Sequence, residues 1–130
     1  MNEKIFIPPI KCQGIKTKLL PFIAEVAAHH KYNRWIEPFL GSGVVGFNIR
    51  PRNAFFSDSN PHIIEFYNAL KRGLITPGKM HSFLEKEGQV LEKSNGEHYY
   101  EVRERFNANA NSYDFIFLNR ACFNGMMRFN

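Results

Sequence analysis

The sequence predicts an α/β fold: a short parallel sheet with flanking helices in the first half, then a helical segment. Three observations predict it. Two short β-branched and aromatic runs, "RWIEPF" and "NAFFSD", are each followed by a helix signal. A glycine cluster, "EPFLGSGVVGF", joins the first run to its helix. Beyond residue 75, strand signals give way to polar, helix-prone sequence. The order strand–turn–helix–strand–helix, then helices, points to an α/β nucleotide-binding half followed by a helical insertion.

The elements follow in order. "IFIPPIKCQGIK" holds two prolines and a glycine and reads as an extended arm ending in a turn. From Thr17 to His30 apolar residues recur at helical spacing, with Pro21 in the first turn, where a missing N–H is tolerated. Arg34–Glu37 reads as a buried strand ended by Pro38. "GVVGFNI" starts a helix, and Asn53–Asp58 reads as a second strand. "NPHIIEFYNALKRG" is a helix with Asn60 as N-cap, Pro61 at its first position and Gly73 as its stop. Residues 76–93 and 97–108 read as helices divided by "KSNG", and Asp114–Cys122 as a third. Two strands cannot bury both faces of a parallel sheet, so further strands are expected from elsewhere.

Composition sets outer limits. A chain of 130 residues is one domain at most, and 44% hydrophobic with 22% charged residues fits a globular protein with a real core. With 13 Phe and one Trp, that core is Phe-heavy. No apolar run approaches the roughly 18 residues of a membrane span, and "MNEKIFIPPIK" has no hydrophobic signal core. The expectation is therefore a cytoplasmic protein without a membrane partner. Cys12 and Cys122 are far apart and in no metal-like spacing, so neither a disulfide framework nor a metal site is expected. The formal charge is +5. Its basic residues are dispersed, among them Lys11, Lys18, Arg50, Arg52, Arg103 and Arg105, so any basic face must be assembled by folding.

The glycine cluster carries the chemistry. Gly41, Gly43 and Gly46 form Gly-x-Gly-x-x-Gly between a strand and a helix, where backbone can approach a ligand closely and the helix offers free N–H groups. Asp58 stands 21 residues after Glu37 at the end of the next strand, where a carboxylate binds a ribose hydroxyl pair. The alternative for Asp58 is a helix cap, since "DSNP" is also a capping sequence. A nucleoside-bearing ligand is the favoured reading. For Lys16 the residues alone favour a solvated lysine at a helix start.

Four segments, "PPIKCQGIKTKLLPFI", "WIEPFLGSGVVGFNI", "FSDSNPHIIEFYNALK" and "FLNRACFNGMMRFN", are spread in order between Pro8 and Asn130. In them the chain resembles the N-terminal part of a Dam-type N6-adenine DNA methyltransferase. That family carries K-W-x-G-G-K, then E-P-F-x-G-x-G, then D-x-N-x-x-L-I-x-x-Y, and after a helical stretch L-N-R-x-x-Y/F-N-G-x-x-R-Y/F-N. The resemblance implies a partial Rossmann-like S-adenosylmethionine-dependent methyltransferase sheet over residues 1–75, the cofactor-binding half. A helical DNA-recognition segment over residues 76–130 would follow, ending within its hairpin. In the implied S-adenosylmethionine pocket, Phe39, Gly41 and Gly43 form the wall, with Glu37 at the strand end. Asp58 would hold the ribose hydroxyls and Lys16 would stand at the cofactor. Cys12 replaces the family's aromatic and Gly14-Ile15 its glycine pair, and Cys12 stays in the cofactor-binding set.

"LNRACFNGMMRFN" mixes arginine, asparagine and phenylalanine around a glycine. Arginine reads guanine bidentately, asparagine can pair with bases, and aromatics can wedge into a stack. Composition alone favours a helix followed by a Phe-anchored turn, with Arg120 in a structural ion pair. The resemblance implies instead the hairpin that recognises double-stranded DNA. Arg128 would read a base, Phe123 would stack or intercalate and Asn124 would contact a displaced base. Met126 belongs to the same hairpin and Arg120 braces it.

The family takes the acceptors for the adenine amine, and a stacking ring, from an Asp-Pro-Pro-Tyr segment after that hairpin. No D-P-P-Y, N-P-P-Y or similar string occurs in these residues. The expectation is an N-terminal portion, inactive alone and with no catalytic residue of its own. A complementary fragment carrying the catalytic half is a candidate partner. The competing reading is a non-catalytic DNA- or partner-binding module on the same fold. A nicotinamide-dependent oxidoreductase would use the same turn, but Glu-Pro-Phe before the glycines and S-D-S-N-P after the second strand disfavour it.

Overall fold

A computed structural model describes residues 4–122 and residue 125. The chain divides into two compact units, Met1–Ser59 and Asn60–Asn130.

The first unit contains an extended arm, a 3-10 turn at Lys16–Leu19, α1 (Leu20–Ala28), β1 (Trp35–Glu37), α2 (Val44–Ile49) and β2 (Ala54–Phe56). The single helix expected from Thr17 to His30 is thus split and shortened. Pro21 opens α1, while the His29 and His30 imidazoles each donate from Nδ1 to the carbonyls of Glu25 and Val26 at 2.7 Å. Those side chains satisfy carbonyls that a further helical turn would otherwise occupy, so the helix stops. Pro38 brings no N–H to the ladder and ends β1, as expected.

Among the described residues β1 and β2 form a two-stranded parallel sheet, with Trp35 opposite Ala54, Ile36 opposite Phe55 and Glu37 opposite Phe56. The core of this unit is Leu20, Val44 and Val45, with Ile5, Ile23, Trp35 and Ile49 packed against it. The expectation of a buried first strand fails: Trp35 and Glu37 are half-buried, and Arg34 and Ile36 are exposed. Register sets Ile36 beside Phe55 on one face, and they remain 60% and 57% exposed.

The second unit is helical: α3 (Pro61–Lys71), α4 (Pro77–Lys93), α5 (His98–Ala108) and α6 (Ser112–Ala121). The caps of α3 match the sequence: Asn60 Oδ1 accepts from the His62 N–H at 3.0 Å, and Gly73 turns the chain at φ +71. α6 begins two residues before the expected Asp114, because Asn111 caps it by accepting from the Asp114 N–H at 2.9 Å. From Asp114 to Asn119 every residue of α6 is buried. A helix apolar on nearly all sides forms the centre of its unit rather than a surface layer. Among the described residues no helix is long and apolar enough to cross a membrane.

A polar network around the buried Glu87, His98 and Asp114 ties α4, α5 and α6 together. The His98 ring faces Glu87 from Nε2 at 2.5 Å and Glu101 from Nδ1 at 2.8 Å. Carboxylates only accept, so the geometry calls for a proton on both ring nitrogens. Burial pulls the imidazole pKa down, but the hydrogen bonds it donates to Glu87 and Glu101, together with their charges, outweigh it and the net shift is upward. A raised histidine stabilises the fold fully below the ordinary value of 6.5, and that contribution is lost as pH rises through the higher folded value. The thermal midpoint should therefore fall across that window, and His98→Gln should flatten the fall. An unchanged slope in the variant would contradict the imidazolium assignment.

Candidate functional site

The site is built where two neighbouring parallel strands end. β1 runs into the loop 38–43, α2 follows, and β2 returns beside β1, so the loop and Asp58 both lie past the carboxyl ends of adjacent strands. In open α/β sheets that is where ligands bind. The two ends are stitched by backbone: Ser57 donates its N–H to the Glu37 carbonyl at 2.9 Å, and Leu40 donates to the Ser57 carbonyl at 2.9 Å. The Gly41 N–H then donates to Asp58 Oδ2 at 2.8 Å. The glycine turn and the acidic residue are thereby one rigid corner.

Positive φ is required at two points of this turn, +56 at Gly41 and +82 at Gly43. A Cβ on Gly43 would collide with the Phe47 ring, whereas one on Gly41 would meet only Cys12 Sγ, at 3.9 Å. Gly41 therefore presents open backbone, and Gly43 serves the packing of α2. Gly46 is also a packing residue: a Cβ there would run into the Glu37 carboxylate and the Phe56 ring.

Cys12 belongs to this corner. Burial first, and the Asp58 charge second, push its thiol up to about 11, so it is a neutral thiol at physiological pH rather than a nucleophile. Glu37 is employed inside the fold: it accepts from Trp35 Nε1 at 2.8 Å and from the Gly46 N–H. Burial raises its pKa, and those two hydrogen bonds pull the other way.

The remaining candidates lie as follows. Phe39 is 83% exposed at the start of the turn. Lys16 is exposed, and its ammonium donates to the Gly14 carbonyl at 2.7 Å. The capping alternative for Asp58 is answered by Asn60, which caps α3. Arg120 is exposed in the last turn of α6. Phe123, Asn124, Met126 and Arg128 lie outside the described residues.

Two contributors were not singled out from sequence. Ser42 is buried and its Oγ accepts from the Val44 N–H at 3.3 Å, securing the start of α2. A small polar residue between two glycines is the signal that could have found it. Ser57 acts through its backbone and through its hydroxyl, which donates to the Pro38 carbonyl at 3.2 Å. Among the described residues no group of three or more His, Cys, Asp or Glu side chains is placed to hold a metal ion.

Comparison with known proteins converges on one family. The model for "D12 class N6 adenine-specific DNA methyltransferase" matches residues 13–130. The type II methyltransferase M.MjaIII of Methanocaldococcus jannaschii is 34% identical over 95% of this chain and 48% of its own length. The DNA adenine methylase of Haemophilus influenzae is 32% identical over 95% of this chain and 43% of its own length. That of Vibrio cholerae is 35% identical over 73% of this chain and 34% of its own length. The chain thus spans less than half the length of these relatives. No solved structure gives a significant match.

Proposed function

The chain belongs to the D12 class N6 adenine-specific DNA methyltransferase family, and from that premise we propose that residues 1–75 form the methyl-donor half of a DNA adenine N6-methyltransferase. The donor is S-adenosylmethionine, and β1 and β2 are part of a Rossmann-like sheet. The observation that carries the reading is the hydrogen bond from the Gly41 N–H to the Asp58 carboxylate.

The residues of the corner fit an adenosine-bearing ligand. Asp58 offers an anionic acceptor suited to a ribose diol, and the glycine turn anchors it. Gly41 leaves the backbone open to close approach. Phe39 offers an exposed apolar ring, and Cys12 an uncharged edge. When bound, S-adenosylmethionine supplies a methyl group made electrophilic by its sulfonium. Lys16, which opens the 3-10 turn after the arm, is the residue proposed to contact the methionine end of the same ligand.

Residues 76–130 form the DNA-recognition part in this reading, with duplex DNA as substrate and the net charge of +5 favouring its phosphates. Arg120, Phe123, Asn124, Met126 and Arg128 make up its contact set. Acting on an adenine amine requires the base to leave the stack. In this reading transfer also uses D-P-P-Y acceptors for that amine, a string that these 130 residues do not contain.

Calorimetric titration with S-adenosylmethionine tests the reading. Asp58→Ala removes hydrogen bonds to a charged group, worth about 1.5–3 kcal/mol, and should weaken binding about 10- to 100-fold. Unchanged affinity would remove Asp58 from the site. No binding to the wild-type chain at millimolar donor would favour the non-catalytic module instead.

A further inference from the structure

We propose that Asn48, to which no role has been given, is a positioning residue that holds the N-terminal arm so that Cys12 lies against the Gly41–Asp58 corner. This rests on the donor-site reading for its functional meaning. Its geometry stands independently.

Asn48 lies in α2, five residues beyond Gly43. Its side-chain amide treats Phe6 as a neighbouring strand would. Oδ1 accepts from the Phe6 N–H at 2.8 Å, and Nδ2 donates to the Phe6 carbonyl at 2.9 Å. Nδ2 also donates to the Val44 carbonyl at 2.6 Å, one turn back along α2, which fixes the amide's orientation. One acceptor and two donors at this reach is what asparagine supplies: aspartate cannot donate, and serine is shorter.

Next to Phe6, Ile5 packs against the Leu20–Val44–Val45 core, so polar and apolar grips hold the same point of the arm. Downstream come Pro8 and Pro9, whose fixed φ stiffens the chain, and Ile10, only 1% exposed. Cys12 follows, with its Sγ 3.9 Å from where a Gly41 Cβ would stand. An arm that is stiff between two anchored points transmits its placement. The helix that begins at the glycine turn therefore also fixes the chain lining the turn's other side.

The test uses the two cysteines as site-specific reporters. Held in place, the Cys12 thiol sits at about 11 instead of the ordinary 9.0, so it alkylates slowly. Asn48→Ala should speed iodoacetamide labelling of Cys12 at least tenfold while leaving Cys122, in the other unit, within twofold. Asn48→Asp, which keeps the acceptor and loses the donor, should fall between wild type and Asn48→Ala. S-adenosylmethionine affinity, by calorimetry, should drop about tenfold in Asn48→Ala. Unchanged Cys12 labelling overturns the proposal, and so does an equal rise at both thiols, which would mean general loosening. Faster Cys12 labelling with intact donor affinity overturns the arm's role at the site. A wild-type chain that binds no donor instead refutes the donor-site reading, while the labelling still decides what Asn48 does.

Discussion

Arg105→Ala is expected to destabilise the helical unit by about 2–3 kcal/mol, because it strands a buried carboxylate, and the half-exposed guanidinium keeps the loss below that of a fully buried pair. Asp114 is only 1% exposed. Arg105 grips it with both arms of its guanidinium, from Nε at 2.9 Å and from the terminal nitrogen at 2.5 Å. The same guanidinium lies 3.6 Å from Glu87 of α4, so one side chain joins three helices. Without it, Asp114 retains Asn111 Nδ2 at 2.8 Å, and a neutral amide does not compensate a buried charge. The geometry also separates the charge from the shape. The double variant Arg105→Met with Asp114→Leu removes both charges and should lose much less than Arg105→Ala alone. Urea unfolding measures both. A loss below about 1 kcal/mol in Arg105→Ala would class the pair with ordinary surface ion pairs and contradict its assignment as the bond between helices.

Gly46→Ala is expected to damage the first unit by about 3 kcal/mol, the upper end for overpacking, and to weaken donor binding with it. The added methyl would meet the Glu37 carboxylate on β1 and the Phe56 ring on β2, 2.5 Å from its nearest carbon. Phe56 is already engaged edge-on with Phe47, their ring centres 5.7 Å apart. Neither neighbour is the free end of a flexible chain, so α2 itself must move off the sheet, carrying the glycine turn with it. Gly88→Ala in α4 is the matched control. Nothing lies within 4 Å of the added carbon, and replacing a helical glycine should stabilise by about 0.5–1 kcal/mol. Opposite signs for the two substitutions are the expected result. A neutral Gly46→Ala would contradict the tight contact between α2 and the strands.

What could be read from sequence is what is decided locally. The helix from Pro61 carries its own start and stop, Asn60 and Gly73, and the structure keeps both. The strand–glycine turn–helix–strand order is likewise local, and it suffices to bring Gly41 and Asp58 into one candidate site. What escaped is decided by distant partners. The pairing of Glu87 with His98 and of Arg105 with Asp114 depends on helices meeting, and no spacing in the sequence announces it. The exposure of Ile36 and Phe55 escaped for the same reason: an apolar residue in a strand signals a face, not what covers that face. The employment of Glu37 by Trp35 and Gly46 is a third case, since a carboxylate before a glycine turn reads equally as ligand contact or as brace.

The central claim is that the corner made by Gly41 and Asp58 holds the methyl donor. Titrating S-adenosylmethionine into the nitrogen-15-labelled chain and following backbone amide resonances tests it most directly. The Gly41 amide, which donates to Asp58, should shift saturably together with those of Cys12 and Gly43, and in Asp58→Ala the response should need about 10- to 100-fold more ligand. A Gly41 resonance that stays fixed while the ligand saturates shifts confined to residues 60–130 would contradict the account.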